Sequence, residues 1–214
     1  MSEYNEIFNE ISELLQRGKA KDIVGSVQKA LDAGAAPGDI LEKALMDGMN
    51  IIGGKFKRNE VFVPEVLIAA RAMNKATEVL KPRLAEAGIQ PVGKAIICTV
   101  KGDLHDIGKN LVKMMIEGKG IEVEDLGIDC DTQVVVEKVK EGNAKVLCLS
   151  ALLTTTMAVQ KEVIDALIEA GVRDKVKVMV GGAPVTQGFA DEIGADAYTP
   201  DAASAAEVCR AFFG

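Results

Sequence analysis

The residues best suited to chemistry lie in one short run, Gly102-Asp103-Leu104-His105-Asp106-Ile107-Gly108, which holds the only histidine of the chain. The apolar stretch Ala95–Val100 before it predicts a buried strand, and residues 109–118 after it predict a helix. The run therefore lies in a strand-to-helix loop, which is where open α/β sheets bind ligands. A lone histidine is more often a structural residue, so a ligand role depends on what else reaches the same edge.

Length, charge and cysteine spacing exclude several classes of function. A chain of 214 residues can form one large or two small domains, and its net charge of −7 would repel nucleic acid. No apolar run approaches the roughly 18 residues that span a bilayer. The acidic N-terminus lacks the features of a signal peptide, so we expect a cytoplasmic protein without a membrane partner. The four cysteines contain no Cys-x-x-Cys pair, which argues against a zinc site.

The first part of the chain, residues 1–87, predicts a four-helix bundle. Its apolar residues recur at helical spacing in four segments, which begin near Ile7, Ile23, Ile40 and Val66. The glycines expected to end helices are Gly18, Gly34 and Gly53-Gly54, and the prolines expected in first turns are Pro37 and Pro64. One connection, Val61-Phe62-Val63-Pro64, is apolar, which is unusual for a loop that packs on nothing.

Beyond a predicted linker at 88–93, residues 94–214 alternate between short β-branched runs and amphipathic segments. The predicted strands are 95–100, 121–126, 146–149, 176–180 and 197–198, and the predicted helices are 109–118, 132–142, 156–170, 185–193 and 202–213. Such alternation predicts an α/β domain with a Rossmann-like, doubly wound sheet of five parallel strands in the flavodoxin-like order. Its ligand crevice should lie at the carboxyl ends of the first, third and fourth strands.

Small and hydroxyl-bearing residues follow the other strands that reach this crevice. The third strand runs into Ser150 and three threonines at 154–156, the fourth ends in Gly181-Gly182-Ala183, and the fifth ends at Tyr198. The chain has no Gly-x-Gly-x-x-Gly or Walker loop, no Gly-x-Ser-x-Gly elbow around Ser150, and no phospho-receiver lysine after the fifth strand. A large flat cofactor held by one nitrogen ligand fits this set of residues best.

Three separated motifs resemble the cobalamin-binding signature of corrinoid proteins: Asp103-x-His105-x-x-Gly108, Ser150-x-Leu152 and Gly181-Gly182. The run 99–110 is similar to the cobalamin module of methionine synthase and of small methyltransferase corrinoid proteins. The segment Phe62-Val63-Pro64 resembles the Phe-Leu-Pro element of the family's helical cap, with valine in the leucine position. The resemblance covers essentially the whole chain, with residues 1–87 as the cap domain and 94–214 as the cobalamin-binding domain.

The resemblance implies a cobalamin or related cobamide, bound with its own base displaced and with His105 as the lower cobalt ligand. Asp103 would accept the other imidazole N–H, and Thr156 would extend this relay. Phe62 with Val66 would shield the upper face of the cofactor. The whole set of cofactor-binding residues implied in this way is Gly102, Asp103, Leu104, His105, Asp106, Ile107, Gly108, Ser150, Leu152, Thr154, Thr156, Gly181, Gly182, Ala183, Tyr198, Phe62 and Val66.

The resemblance also implies a function, that of a methyl carrier cycling between Co(I) and methyl-Co(III) as one subunit of an anaerobic methyltransferase system. A substrate-specific methyltransferase would load it from a methylamine, methanol, a quaternary amine or an aryl ether. An acceptor methyltransferase would pass the methyl group to tetrahydrofolate or a thiol, and a reductive activase would restore the cobalt. Proton uptake by the Asp103–His105 pair should favour loss of the axial bond, and motion at the 88–93 linker should let the cap move.

Two other functions remain open. A cobalamin-dependent sensor would share the cap and the cofactor fold, but it would carry a DNA-binding domain. The chain begins directly with the predicted bundle and is acidic, which disfavours that alternative. A detached mutase subunit is a third hypothesis, and it would lack the helical cap.

Overall fold

The computed structural model describes residues 4–214, which form two compact units. One unit contains the described chain up to Pro91 together with Gly118–Gly120, and its secondary structure is helical. The other contains Val92–Glu117 and Ile121–Gly214 and alternates between strands and helices. Within residues 4–214, no helix combines the length and the apolar character needed to cross a membrane.

The helical unit consists of α1 (Asn5–Gln16), α2 (Asp22–Asp32), α3 (Pro37–Ile40), a π-helical segment (Leu41–Met46), α4 (Asp47–Lys57) and α5 (Val63–Glu86). The segments from α3 to α4 follow one another without a break, so residues 4–91 form four helical rods, as the sequence pattern predicts. Each rod buries an apolar face, and the fully buried side chains include Ile11, Leu15, Ile23, Leu45, Ile52 and Leu80. Pro37 and Pro64 lie in first turns, where a missing N–H breaks no helical hydrogen bond.

The helix ends of this unit differ from the prediction at one place. Gly18 and Gly34 follow α1 and α2 with φ of +65° and +90°, as expected of C-cap glycines. Gly53 and Gly54, however, lie inside α4, where the Gly54 carbonyl still accepts a helical N–H at 3.2 Å. The left-handed residue after this helix is Asn59, with φ of +58°. The expectation that Gly53-Gly54 end the helix is wrong, because glycine weakens a helix without stopping its hydrogen bonds.

The α/β unit is built on five parallel strands, β1 (Lys94–Thr99), β2 (Glu122–Asp125), β3 (Val146–Ser150), β4 (Lys177–Gly181) and β5 (Ala197–Tyr198). Its helices are α6 (Ile107–Glu117), α7 (Thr132–Lys140), α8 (Thr154–Glu169), α9 (Gln187–Ile193) and α10 (Ala202–Ala211), with a 3-10 turn at Arg173–Lys175. The strand order β2-β1-β3-β4-β5 is the doubly wound, flavodoxin-like order, so the predicted fold class is confirmed. The order reverses between β1 and β3, which is where a ligand crevice forms in such sheets.

Side chains of the central strands alternate between two helical layers. Leu149 and Val180 belong to a buried cluster with residues of α7, α8 and α9. Neighbouring positions along a strand point to the other face. Thr99, Ser150 and Gly181 pair in one line across β1, β3 and β4, so they share that other face. The helices α6 and α10 contribute no residue to the cluster and pack against each other, so they belong to the opposite layer.

Gly182, just after β4, provides a test of this packing. Its φ is +135°, and a Cβ at this position would overlap the carbonyl oxygen of Ala151. We predict that Gly182→Ala lowers the free energy of unfolding by about 3 kcal/mol, because backbone strain and steric overlap add. Urea unfolding followed by far-UV circular dichroism measures this change.

The matched control for that substitution is Gly188→Ala, inside α9. A Cβ on Gly188 meets its nearest neighbour only at 4.0 Å, so the variant should keep its stability or gain up to about 1 kcal/mol. Equal free energies of unfolding for the two variants would contradict the steric argument.

Candidate functional site

The loop between β1 and α6 is fixed to the end of β1 by its main chain. The hydroxyl of Thr99 donates to the carbonyl oxygen of His105 at 2.8 Å, and the N–H of Asp103 donates to the Val100 carbonyl at 3.2 Å. Between them Gly102 takes a left-handed conformation, with φ of +83°, that favours glycine. The loop therefore folds back on the strand and sets the direction of its aspartate and histidine side chains.

The carboxylate of Asp103 is fully buried and accepts hydrogen bonds on both oxygens. Oδ1 accepts the main-chain N–H of His105 at 3.1 Å and contacts its ring Nδ1 at 2.7 Å. Oδ2 accepts the Thr156 hydroxyl at 2.7 Å and the main-chain N–H groups of Leu152 and Leu153 at 2.7 and 3.3 Å. One side chain thus joins the loop after β1 to the beginning of α8.

These hydrogen bonds keep the buried group ionised. Burial by itself raises the pKa of Asp103, but donors from Thr156, His105 and Leu152 outweigh it and lower this pKa well below its usual range. An ionised carboxylate can only accept, so the 2.7 Å contact requires Nδ1 of the imidazole to carry the proton. In the neutral ring Nε2 is then the nitrogen with an available lone pair.

The His105 ring lies at the surface beside apolar side chains. It is 51% exposed, while Leu104 and Ile107 in the same run are 67% and 74% exposed. Leu152 and Leu153, whose N–H groups bind Asp103, also have exposed side chains. Exposed aliphatic side chains near one another are typical of a binding surface. The site therefore presents one imidazole nitrogen on a surface suited to a large, partly apolar ligand.

Two glycines of the predicted site leave room for such a ligand. A Cβ built on Gly108 or on Gly181 would meet no other group within 4 Å, so both positions face open space. Gly181 pairs with the half-buried Ser150 on the face of the sheet opposite to Leu149. The first turn of α6 and the carboxyl ends of β3 and β4 thus border openings that larger side chains would fill.

The other residues of the α/β unit that were expected at the site differ in position and exposure. Thr154 and Ala183 are exposed, after β3 and β4 respectively. Tyr198 is half-buried and pairs with Val180, one position before the end of β4. Asp106 is exposed just before α6, and its carboxylate accepts a hydrogen bond from the Asn110 side chain of that helix at 3.1 Å.

The last two expected residues lie in the helical unit. Phe62, just before α5, is 61% exposed, so its ring is accessible for the shielding role that the resemblance implies. Val66 has no exposed surface and counts among the buried residues of α5. A direct cofactor contact of Val66 would need this side chain to become accessible, so the shielding role of the two residues stays a prediction.

The Leu153 N–H and the Thr99 hydroxyl are among the supporting groups that were missed in the sequence. The Leu153 N–H binds Asp103, and a main-chain donor has no signature in residue types. Thr99 binds the carbonyl of His105, and the signal was present, because its hydroxyl lies in an otherwise apolar strand directly before the motif.

A metal at this site must bring most of its own ligands. Within residues 4–214, no three His, Cys, Asp or Glu side chains are grouped in a way that could hold an ion. The site offers the single imidazole of His105. Such a donor set fits a metal already held by a macrocycle, which needs only an axial ligand from the protein.

Comparison with known proteins decides which macrocycle this is. Residues 93–209 match a family described as the B12 binding domain, and residues 7–81 match a second family of the same description. Dimethylamine corrinoid protein 2 of Methanosarcina acetivorans is 42% identical to this chain over 206 residues. The aligned residues cover 96% of this chain and 95% of the relative. This chain belongs to the B12-binding corrinoid proteins.

Further relatives of this corrinoid protein agree in sequence and in fold. Monomethylamine corrinoid protein 2 of Methanosarcina mazei is 43% identical over 211 residues, or 95% of each chain. A chain of the methanol:cobalamin methyltransferase complex of Methanosarcina barkeri is 32% identical with a TM-score of 0.88, over 98% of this chain and 80% of that chain. A cobalamin-binding protein of Desulfitobacterium hafniense is 32% identical with a TM-score of 0.82, over 97% and 98% of the two chains.

The cofactor of this corrinoid protein is a cobamide, and the described residues fit one. The fit has three parts: one imidazole nitrogen for an axial position, exposed aliphatic side chains for a flat ring, and glycines that face open space for what extends beyond it.

The buried carboxylate predicts a pH-dependent stability of the apoprotein. In wild type, hydrogen-bond donors occupy both carboxylate oxygens of Asp103. The Asp103→Asn variant keeps only one acceptor oxygen, so we expect its free energy of unfolding to be about 2 kcal/mol lower at neutral pH. Because the folded-state pKa of Asp103 is depressed, its contribution is complete above the unfolded carboxyl pKa of about 3.9 and is lost as the pH falls below it. When the pH falls from about 6 to about 3, the free energy of unfolding of wild type should decrease by about 1 kcal/mol more than that of the variant.

Urea unfolding of both proteins across this pH range measures the difference. Asp165→Asn is the control, because Asp165 forms an exposed ion pair with Lys161 on α8 and has no buried partners. If the difference in free energy of unfolding between wild type and Asp103→Asn stays constant with pH, then the fold does not stabilise the charge of the carboxylate.

Proposed function

We propose that this corrinoid protein carries methyl groups between two methyltransferases, one that loads it from a substrate and one that unloads it to an acceptor. The observation that carries the proposal is the His105 ring, which has Nδ1 engaged by buried Asp103 and lies half-exposed on an apolar surface. A cofactor bound there by one protein atom would be accessible to the active sites of other proteins. Family membership supports the same role.

In this proposal Nε2 of His105 would bind the cobalt of the cobamide. When bound, the cobamide supplies a cobalt centre that changes oxidation state as it takes up and releases a methyl group. Leu104, Ile107 and Leu152 would contact the flat ring and keep water from its lower side. The displaced nucleotide would be held by the residues that border the openings at Gly108 and Gly181.

The hydrogen bonds around Asp103 would hold the His105 ring in one orientation towards the cobamide. Nδ1 would keep its proton on the Asp103 carboxylate and leave Nε2 for the cobalt. The Thr156 hydroxyl and the N–H groups before α8 keep Asp103 ionised, so it stays an acceptor for Nδ1.

The methyl donor that we propose is a methylated amine. Relatives described as dimethylamine and monomethylamine corrinoid proteins are 42% and 43% identical to this chain over nearly their whole lengths. The matching chain of the methanol system is 32% identical. The acceptor methyltransferase would use a thiol or tetrahydrofolate, and a reductive activase would restore the cobalt after accidental oxidation.

The single histidine of the chain allows a direct test of the axial ligand. In protein reconstituted with cob(II)alamin, the electron paramagnetic resonance lines should be split into three by one axial ¹⁴N nucleus. Protein labelled only with ¹⁵N-histidine should show two lines instead, because only the His105 nitrogens change. A threefold splitting that survives labelling would identify the cofactor's own base as the ligand.

His105→Ala should lose this splitting and retain the cofactor about 10- to 100-fold more weakly, because an axial ligand and its relay are removed. Added imidazole should restore the nitrogen splitting if the cavity left by the ring is otherwise intact. An unchanged spectrum in His105→Ala would place the ligand elsewhere.

Methyl loading tests the carrier function itself. Reduced, cobalamin-loaded protein is mixed with a purified dimethylamine or monomethylamine methyltransferase and its amine, and methylation is followed by absorbance. We expect a rate about tenfold above that with a methanol methyltransferase and methanol, since the amine enzymes should recognise this surface better. Free cobalamin is the control. Methylation from neither donor would overturn the carrier proposal, and faster loading from methanol would overturn the amine assignment.

A further inference from the structure

The ligand loop is held from two sides, because β2 and β3 flank β1 on opposite edges. On the β3 side, the donors before and within α8 hold the Asp103 side chain. On the β2 side, the segment 127–130 runs beside the end of β1. The Thr99 N–H donates to the Gly127 carbonyl at 2.9 Å, and the Cys130 N–H donates to the Thr99 carbonyl at 3.0 Å.

Within this segment, Asp129 contacts the main chain on both sides of the Asp103 Cα. Its carboxylate Oδ1 accepts the N–H of Gly102 at 2.8 Å. Its own N–H donates to the carbonyl oxygen of Asp103 at 3.0 Å. Lys101 lies 3.5 Å from the same Oδ1, so the carboxylate also meets a positive charge of the loop. One residue outside the sequence motif therefore fixes the backbone of the residue that orients His105.

The conformation of Asp129 indicates that its side chain is needed. Its φ is +49°, in the left-handed region, where a residue other than glycine is strained by about 1 kcal/mol. Glycine would adopt this backbone without strain but has no oxygen for the Gly102 N–H. Such strain persists where the surroundings impose it, and it concentrates at functional sites.

The segment that carries Asp129 is itself anchored. Asp125, at the end of β2, accepts the Gly127 N–H at 2.9 Å and binds the buried ammonium of Lys109, in the first turn of α6, at 2.7 Å. Because the Lys109 ammonium is buried, separating it from Asp125 would leave a charge without its counter-ion inside the protein, so the geometry of this pair is difficult to change. The segment can therefore serve as a fixed reference for the loop.

We propose that Asp129 is a positioning residue, which fixes the tautomer and direction of the His105 ring through the main chain of Asp103. The proposal rests on the role of His105 as the cobalt ligand put forward above. With Gly102 N and Asp103 O both held, the Asp103 carboxylate stays aimed at Nδ1. Without the Asp129 oxygen, the Gly102 N–H loses its acceptor, and the β2 side holds the loop only through the Asp129 N–H. The Asp103 carboxylate is then aimed at Nδ1 less strictly.

The apoprotein provides the first test, since its single histidine gives one pair of imidazole nitrogen signals. In a two-bond ¹H–¹⁵N correlation spectrum at mildly alkaline pH, wild type should show the Nδ1–H tautomer alone. Asp129→Gly keeps the left-handed backbone and lacks the oxygen, so both tautomers should be visible. Asp129→Asn keeps an acceptor oxygen at the same place and should restore the wild-type pattern. Asp129→Ala serves as a second variant without the oxygen.

Asp131→Ala is the matched control for a merely structural effect. Asp131 is two residues away and caps α7 by accepting the Gln133 N–H at 3.0 Å, but it has no bond to the ligand loop. Its loss should lower the free energy of unfolding by about 1 kcal/mol and leave the tautomer unchanged. Asp129→Gly should instead change the tautomer and keep the free energy of unfolding of wild type, because relief of backbone strain offsets the loss of one exposed hydrogen bond.

The holoprotein provides the second test. Asp129→Gly should retain cobalamin about tenfold more weakly than wild type and show axial ¹⁵N splitting in only part of the sample. A wild-type tautomer pattern and wild-type cobalamin retention in Asp129→Gly would overturn the positioning role. If wild type itself lacks ¹⁵N splitting, the proposed ligand fails, and the apoprotein tautomers still decide whether Asp129 positions the ring.

Discussion

The whole site depends on keeping one carboxylate ionised inside the protein. Transfer of an unpaired carboxylate out of water costs several kcal/mol, and Asp103 has no accessible surface. Five hydrogen bonds offset that cost, and the partial positive charge at the N-terminus of α8 adds to them. The donors belong to the loop after β1 and to the beginning of α8. The charge therefore joins these two segments and decides which nitrogen of His105 faces outward.

The parallel sheet makes this arrangement possible because it brings distant segments to one edge. The line Thr99–Ser150–Gly181 crosses three strands, and its members have different tasks. The Thr99 hydroxyl holds the His105 carbonyl, whereas Gly181 leaves open the space that a side chain would fill. Rigid support and open volume thus come from two strands of a single sheet, on either side of β3, near the switch in strand order where ligand sites form.

The sequence predicts best those features in which the type of side chain determines its structural role. The strands predicted at 146–149 and 176–180 are observed at Val146–Ser150 and Lys177–Gly181, because strands buried on both faces give unbroken apolar runs. The contact between Asp103 and His105 is one that the resemblance to corrinoid proteins implies. Asp129 could not be found in this way, since half of its contribution is a main-chain N–H and its partners are main-chain atoms. The expectation that Gly53-Gly54 end α4 failed for a similar reason, because it considers residue types and not the main-chain hydrogen bonds that continue the helix.

The chain also limits which atom can reach a metal at this edge. Thiolates bind cobalt-group metals well, but all four cysteines are free and buried. A hydrogen bond with Cys130, together with burial, raises the pKa of Cys98, and a hydrogen bond with Cys209, together with burial, raises the pKa of Cys148. The hydrogen bond with Cys98 lowers the pKa of Cys130, but burial keeps this thiol and the other three from a ligand at the surface. The only imidazole of the chain is half-exposed with Nδ1 already engaged, so both the donors that the fold buries and the one that it presents support His105 as the proposed cobalt ligand.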